Sequence, residues 1–589
     1  MDTIPVAPSR ALLPSLDVPR SRARIRWNGL LAPAAAVLIA VLGYLTRWIC
    51  DDALIFTRIV EQILSGNGPV YSVGERAETS TSALWQWLLA LAGFVSGNSD
   101  TSAISWMLGL ALTAGGFALA VAATRRLHDR PGTWLLPVGV LILLALHPVW
   151  QYATSGLETG LNTFWMAACW WLLVRARGNT SGKAITGAAL VIGLGPLVRP
   201  EQALVAAVFL VALWLLTRPG RRVTLAAAGA AAALPLGYEI FRMGYYGVLV
   251  PMPAITKNAD ASRWARGFTY LTDFADPYLL WIPLVPVTVV LARLLRRSRA
   301  DRSGLLVTLT PVVAGLLLLG YVLKVGGDYM HARMLLPSLF LVLLPVLVLP
   351  RSRTTGVLTL VVVVWAPLCA GLARYREEPA AVRSIDDERA YYQAWTGREY
   401  PTDSTDFTPR QRNLQDAVAD AVNSGRRVLI YQGAHNEIIT APLRADLPGK
   451  AAVLGVYLGT VGMLAPVDVG IVDFWGLSNP IGARFAFPEG KPGHAKPLSN
   501  AWLVADYAAP EAPTSPAGNF VFRDEVTPAQ VAAARHALNC GDLAEVQRST
   551  REPLTLKRFW ANLTGAWHRT QVTIPPDPFE AERKFCGRP

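Results

Sequence analysis

The residues best suited to chemistry form short charged islands between long apolar runs. Asp51 and Asp52 stand side by side directly after the first such run. A carboxylate at a membrane boundary, lifted in pKa by desolvation and by its neighbour, suits removal of a proton from a hydroxyl; the plainer reading is an ordinary interfacial pair. Glu75 follows in Gly74-Glu75-Arg76, then Glu158 after Gly156-Leu157, Arg199-Pro200-Glu201, Arg242 through Tyr245-Tyr246, Lys257, and a loop from Gly326 to Arg333 that carries Asp328, His331 and Arg333. Singly these read as structural anchors, Arg199 and Glu201 as a neutralising pair. Together they make a polar floor, with Arg199, Arg242, Lys257, His331 and Arg333 as cations for an anionic headgroup and the carboxylates for proton transfer and hydroxyl binding.

No Cys or His spacing of a metal site, nucleotide-binding glycine motif or internal repeat occurs. Asp51, Asp52 and Glu158 could gather a divalent cation, but scattered oxygen ligands cannot be counted from a sequence. No metal site is assigned and no cofactor is required.

The elements that must position these islands are membrane spans. The 589 residues are 52% hydrophobic and only 16% charged, against about a quarter charged in soluble proteins. The net charge of +13 admits nucleic acid as a partner, but the arginines fall between apolar runs, which argues against it. About eleven candidate spans begin at Asn28, Ala103, Thr133, Leu161, Ala184, Gln202, Val223, Pro277, Gly304, Met334 and Thr355. Arginine-rich connections alternate along them, at Arg20–Arg26, Arg125–Arg130, Arg175–Lys183, Arg218–Arg222, Arg293–Arg302 and Arg351–Arg353. Positive residues near span ends stay in the cytoplasm, so residues 1–27 form a cytoplasmic basic tail, 28–374 a transmembrane domain, and 375–589 lie outside. The run Ala83–Gly97 breaks this alternation if it spans. It is therefore expected to lie along the outer surface, with Trp85 and Trp87 at headgroup level.

The C-terminal 215 or so residues are long enough for a domain of their own and read as α/β. Thr408-Pro409-Arg410-Gln411 and Thr527-Pro528-Ala529-Gln530 carry helix-start signals. Val428–Tyr431, Val469–Phe474 and Ala501–Val504 read as strands. Cys540 and Cys586 both fall in this outer domain, where oxidation is permitted, and are expected to form a disulfide; the alternative is two buried thiols.

Ordered stretches then carry a resemblance: Arg47-Trp48-Ile49-Cys50-Asp51-Asp52, Gly66-Asn67-Gly68-Pro69-Val70-Tyr71, Ala153-Thr154-Ser155-Gly156-Leu157-Glu158, Leu197-Val198-Arg199-Pro200-Glu201, Arg242-Met243-Gly244-Tyr245-Tyr246-Gly247 and Gly326-Gly327-Asp328-Tyr329-Met330-His331-Ala332-Arg333. Trp475-Gly476-Leu477-Ser478-Asn479-Pro480, Gly493-His494-Ala495-Lys496 and the two tail cysteines extend it. The whole chain resembles the terminal β-1,2-arabinofuranosyltransferases of mycobacterial and corynebacterial cell walls, integral membrane glycosyltransferases of the GT-C type. The resemblance implies decaprenylphosphoryl-arabinofuranose as donor, the arabinan of arabinogalactan or lipoarabinomannan as acceptor, and an actinobacterial plasma membrane with the site facing the periplasm. Asp51 and Asp52 are then the catalytic candidates. Glu75, Glu158, Glu201, Tyr245, Tyr246, Asp328, Trp475, His494 and Lys496 are candidates for substrate contacts, and the tail a cap over the site. If donor and product are both β-linked, configuration is retained, so one base serving one in-line attack is an incomplete account; a carboxylate nucleophile or a front-face displacement must be considered. Another GT-C transferase, such as a mannosyltransferase, is the main alternative. A lipid-linked sugar transporter would usually show inverted repeats, and a non-enzymatic scaffold leaves the charged outer loops unexplained.

Overall fold

The computed structural model describes residues 19–587 apart from 98–99, 129–131, 179–180, 259–260, 299–300, 372–384, 488–490 and 512–516. Most of the expected basic tail, Arg130, Arg299 and the boundary at 374/375 lie outside the described residues, as do the side chains of Arg20–Arg26.

The first part of the chain is a bundle of apolar helices. Four are long and apolar enough to cross a bilayer: Trp27–Leu45, Thr101–His128, Arg221–Tyr245 and Arg302–Val325. Shorter apolar helices, among them Gln202–Thr217 and Arg353–Cys369, pack with them. Many of their outward side chains have no cover: Leu225 is 73% exposed and Leu360 63%. A sheath of this kind is stable only against lipid.

The runs beginning at Thr133 and Met334, expected as continuous spans, are broken. The first gives Val138–Ala145 and His147–Gln151, the second Leu336–Leu343 and a 3-10 turn at Leu344–Val346. Pro137, Pro148, Pro345 and Pro350 remove backbone donors and obstruct a continuous helix. The freed groups are partly met by an antiparallel ribbon, Leu135–Leu136 with Leu349–Pro350, near one end of the bundle. The first broken run still follows the first helix from end to end. Leu135 N–H donates to Asn28 Oδ1 (3.2 Å) at one end, and Cys50 N–H donates to Ser155 O (3.1 Å) at the other.

The segment Ala83–Ser96 is a helix capped by Ser82. Trp85, expected at headgroup level, is instead fully buried, its indole N–H donating to Gly156 O at 3.1 Å.

The tail is α/β. Its mixed sheet runs Ile438–Pro442, Val428–Gln432, Ala452–Gly455, Gly470–Asp473, antiparallel at the first pairing and parallel at the others. Ala501–Val504, expected as a strand, belongs to the helix Asn500–Tyr507. That helix is buried on every side, and an apolar run buried all round carries no period that separates helix from strand. The helix expected at Thr408 starts later, at Arg412, after a 3-10 turn capped reciprocally by Asp403 and Asp406. Thr527 and Gln530 form the expected capping box. Cys540 and Cys586 are joined by a disulfide with Cα atoms 5.2 Å apart.

Tail and bundle are stitched together. Buried Arg58 donates to the carbonyls of Ala465, Pro466 and Val469. Arg551 pairs with Glu75 (3.0 Å) and Asp506 (2.6 Å). His331 N–H donates to Asp386 O and Asp386 N–H to Tyr329 O, which lays the start of the tail along the Gly326–Arg333 loop.

Candidate active site

Asp51 and Asp52 open the helix Asp51–Leu64, with extended Cys50 as its cap. Successive residues at a helix start point about 100° apart, and the pair separates accordingly. The Asp51 carboxylate turns into the tail, accepting from Gly459 N–H (2.9 Å), Thr460 N–H (2.7 Å) and Thr460 Oγ1 (2.7 Å). The approach is so close that a Cβ on Gly459 would meet Asp51 O at 1.8 Å, so only glycine fits there. Burial pushes the Asp51 carboxyl up to about 6, against the pull of the Thr460 and Gly459 bonds. Asp52 faces the other way and lines a cavity, its side chain 24% exposed. Tyr329 Oη donates to it at 3.2 Å, and Arg333 Nη1 stands 3.9 Å away.

The cavity lies under the tail, and Asp52, Glu158, Arg199, Glu201, Lys257, Asp328 and Arg333 line it together. The loop that brings Asp328 and Arg333 there leaves the helix Arg302–Val325 through Gly326 and Gly327, at φ +88° and +70°. A Cβ on Gly327 would strike Tyr270 at 2.4 Å, so this turn too demands glycine. Arg333 pairs with Asp328 at 2.5 Å. Burial disfavours the charge on each, but the pairing prevails. Arg333 and Lys257 hold the Asp328 carboxyl below the usual range, and Asp328 and Asp52 raise the Arg333 guanidinium. Arg199 is clamped between Glu158 and Glu201. Lys257, just after the short helix Met252–Thr256, forms no ion pair among the described residues and is free to meet an anion. Below this polar chamber a second, mainly apolar one shares Glu158, Arg199, Glu201 and Arg333 and descends between helices past Phe117, Leu318 and Phe340.

Not every expected site residue is here. Arg242 is bound to Glu78 and Glu239, and Tyr245 and Tyr246 pack beside it with Tyr246 Oη donating to Pro69 O at 2.7 Å. Glu75 belongs to the Arg551 cluster. None of these lines the cavity. His331 is buried against Asp273 (2.7 Å) and Tyr278 (3.3 Å), supporting the loop from behind. Lys496 is buried too, donating to Ile255 O, Asn258 Oδ1 and Ala483 O. Trp475 and His494 stand closer to Asp52: Tyr329 contacts His494 (ring centroids 5.0 Å) and His494 contacts Trp475 (5.1 Å). Burial and the nearby Lys491 push the His494 imidazole down to about 4. The carboxylates of the cavity each face an arginine, and among the described residues no three acidic or imidazole groups there converge to metal-binding distance.

Comparison with known proteins shows to which family the chain belongs. A terminal beta-(1→2)-arabinofuranosyltransferase of Mycobacterium tuberculosis is 33% identical over 617 aligned positions, covering 94% of this chain and 96% of the relative. A terminal beta-(1→2)-arabinofuranosyltransferase of Corynebacterium glutamicum is 34% identical, covering 95% and 88%. The chain belongs to the terminal arabinofuranosyltransferase family. The family model described as the AftB family C-terminal domain matches residues 440–581, and no solved structure matches. That match takes in the Gly459–Thr460 anchor of Asp51 and the cavity-lining Leu477 and Pro492, so in this arabinofuranosyltransferase the family domain itself borders the cavity.

Sequence reasoning about this family member missed two groups. Tyr329 lies in the Gly326–Arg333 loop with no charge to mark it, yet its hydroxyl meets Asp52. Glu388, first residue of the helix Glu388–Thr396, is buried with Oε2 lacking a hydrogen-bond partner among the described residues. Burial, then the charge of Asp52, push its carboxyl well above the usual range. Asp387 as a helix cap was the available local signal; the approach to Asp52 depends on the bridge between Met330 and Asp386, which are distant in sequence.

Proposed function

We propose that this enzyme transfers arabinofuranose from decaprenylphosphoryl-arabinofuranose to the non-reducing ends of cell-wall arabinan, in arabinogalactan or lipoarabinomannan, forming terminal β-1,2 linkages. In this reading residues 28–374 form a GT-C bundle of about eleven crossings in an actinobacterial plasma membrane, and residues 375–589 cap it on the periplasmic side. The N-terminus is cytoplasmic. Support comes from the segregation of charge: Arg125, Arg177, Arg293 and Arg351 gather near one end of the bundle, with Arg125 bonded to Asn28 O and Arg351 next to the Leu349–Pro350 ribbon. The Asp52 cavity is near the other.

The single observation that carries the reading is the Asp52 carboxylate at the wall of a cavity that joins unpaired Lys257 to an apolar chamber. An anionic lipid-linked sugar matches that division. Its chain enters the apolar chamber, its phosphate meets Lys257, Arg199 and Arg333, and its sugar reaches Asp52. Asp51 is sequestered, so the two aspartates do not share the chemistry. Asp52 Oδ attacks the anomeric carbon while the bond from that carbon to the phosphate oxygen breaks, and the departing phosphate takes the electron pair beside the cations. The acceptor hydroxyl then attacks the same carbon, Asp52 leaves, and the hydroxyl proton passes to the phosphate. Two inversions retain β configuration.

The test is transfer from synthetic polyprenylphosphoryl-arabinose to a short arabinan by the purified full-length protein, with and without added divalent cation, the linkage read by NMR. A β-linked terminal arabinose is expected. No transfer by folded protein, or an α-linked product, would overturn the proposal.

A further inference from the structure

The tail carries a second concavity that the chemistry above does not use. It is an open groove walled by the rings of Trp395, Tyr457 and Phe520 and by the polar groups of Arg412, Gln432 and Asn436. Its two kinds of wall suit a sugar chain: ring faces pack against the C–H faces of sugars, while guanidinium and amide groups pair with hydroxyls. Trp395 and Tyr457 lie together with centroids 5.1 Å apart, and Phe520 remains 36% exposed.

Two structural paths join this groove to Asp52. One is a file of rings: Tyr329, whose hydroxyl meets Asp52, then His494 at 5.0 Å, Trp475 at 5.1 Å and Phe520 at 6.3 Å. The other is the helix Glu388–Thr396. Its first residue is buried, two positions after Asp386, which bonds to the Tyr329–His331 stretch next to Asp52, and Trp395, seven residues on and roughly 10 Å along the axis, stands in the groove. A ligand occupying both ends must therefore be a chain of several units.

We infer that the groove walled by Trp395, Tyr457 and Phe520 is an acceptor subsite, which binds internal sugar units of the neutral polysaccharide whose non-reducing end is at Asp52. The inference rests on the reading of the function above. It makes the enzyme a sensor of acceptor length, because a short acceptor fills the catalytic cavity alone and a longer one gains the groove contacts as well.

The experiment measures kcat/KM of the full-length enzyme on linear arabinofuranosyl oligosaccharides of two, four and six units. Wild type should gain about tenfold from the shortest to the longest, the equivalent of one or two modest contacts. Arg412→Ala and Phe520→Ala, at exposed positions, should leave the disaccharide within about two-fold of wild type and flatten the gain. A gain that persists in both variants, or an equal loss at every length, would overturn the subsite. If wild type transfers nothing, the functional reading fails first, and saturation-transfer NMR with the six-unit oligosaccharide decides the groove. Contacts in wild type that vanish in Phe520→Ala uphold it; equal signals, or none, refute it.

Discussion

Two regions bury charge to a similar degree and differ in what they do with it. At the interface of bundle and tail, Arg551 is held by Glu75 and Asp506, with Tyr507 Oη at 3.0 Å, and none of these four lines either chamber of the Asp52 site. At the Asp52 cavity, Arg333 is held by Asp328 and stands 3.9 Å from Asp52. Both guanidinium groups are raised by carboxylates against the cost of burial. Charge and burial therefore do not distinguish a working site from a clasp. What distinguishes them is open volume beside incompletely partnered groups, here Asp52 and Lys257.

The sharpest way to break this comparison is to remove each arginine in turn. Arg333→Ala should lower transfer by about a thousandfold or more, as losing a preorganised charge beside a reacting centre does, measured as kcat/KM on the natural-length donor. Activity within tenfold of wild type would erase the distinction. Arg551→Ala should instead act on stability, costing about 3–5 kcal/mol through the buried carboxylates it strands, and leave kcat within about two-fold below the melting transition. Thermal unfolding followed alongside activity checks it; a large kcat loss in folded protein would make the interface part of the site.

A smaller effect sharpens the contrast within the aspartate pair. The Asp51 carboxyl is raised by burial to about 6, above its unfolded value, so its contribution to stability is present below about pH 4 and is lost as pH rises through about 6. Asp473 is raised to about 6 as well, by burial, and contributes in the same window. The melting temperature of wild type should therefore fall between pH 4 and 6, and Asp51→Asn should reduce that slope without removing it. An unchanged slope would mean that burial does not raise the Asp51 carboxyl.

Much of this was legible in the sequence because membranes impose strong constraints. The apolar runs, the arginine alternation and the glycines before Asp328 all follow from bilayer thickness and turn geometry. The aspartate pair was visible, but not its division, because that depends on where the helix begins. Arg242 read like Arg199 in the sequence; Glu78, buried and facing Arg242, was the partner that diverts it. The broken runs at Thr133 and Met334 carried their prolines in plain view, yet the ribbon that compensates them joins residues more than two hundred positions apart. The rings of the tail groove reach their neighbours only through tertiary packing, and no local pattern marks them; Glu388 carries only the Asp387 cap before it.

The most direct measurement compares single-turnover transfer by full-length Asp51→Asn and Asp52→Asn, each first shown to retain a cooperative thermal transition. Asp52→Asn should show no turnover above about a thousandth of wild type, as removal of a nucleophile does, and Asp51→Asn should keep at least about a tenth. Turnover by Asp52→Asn at or above that of Asp51→Asn would contradict the account.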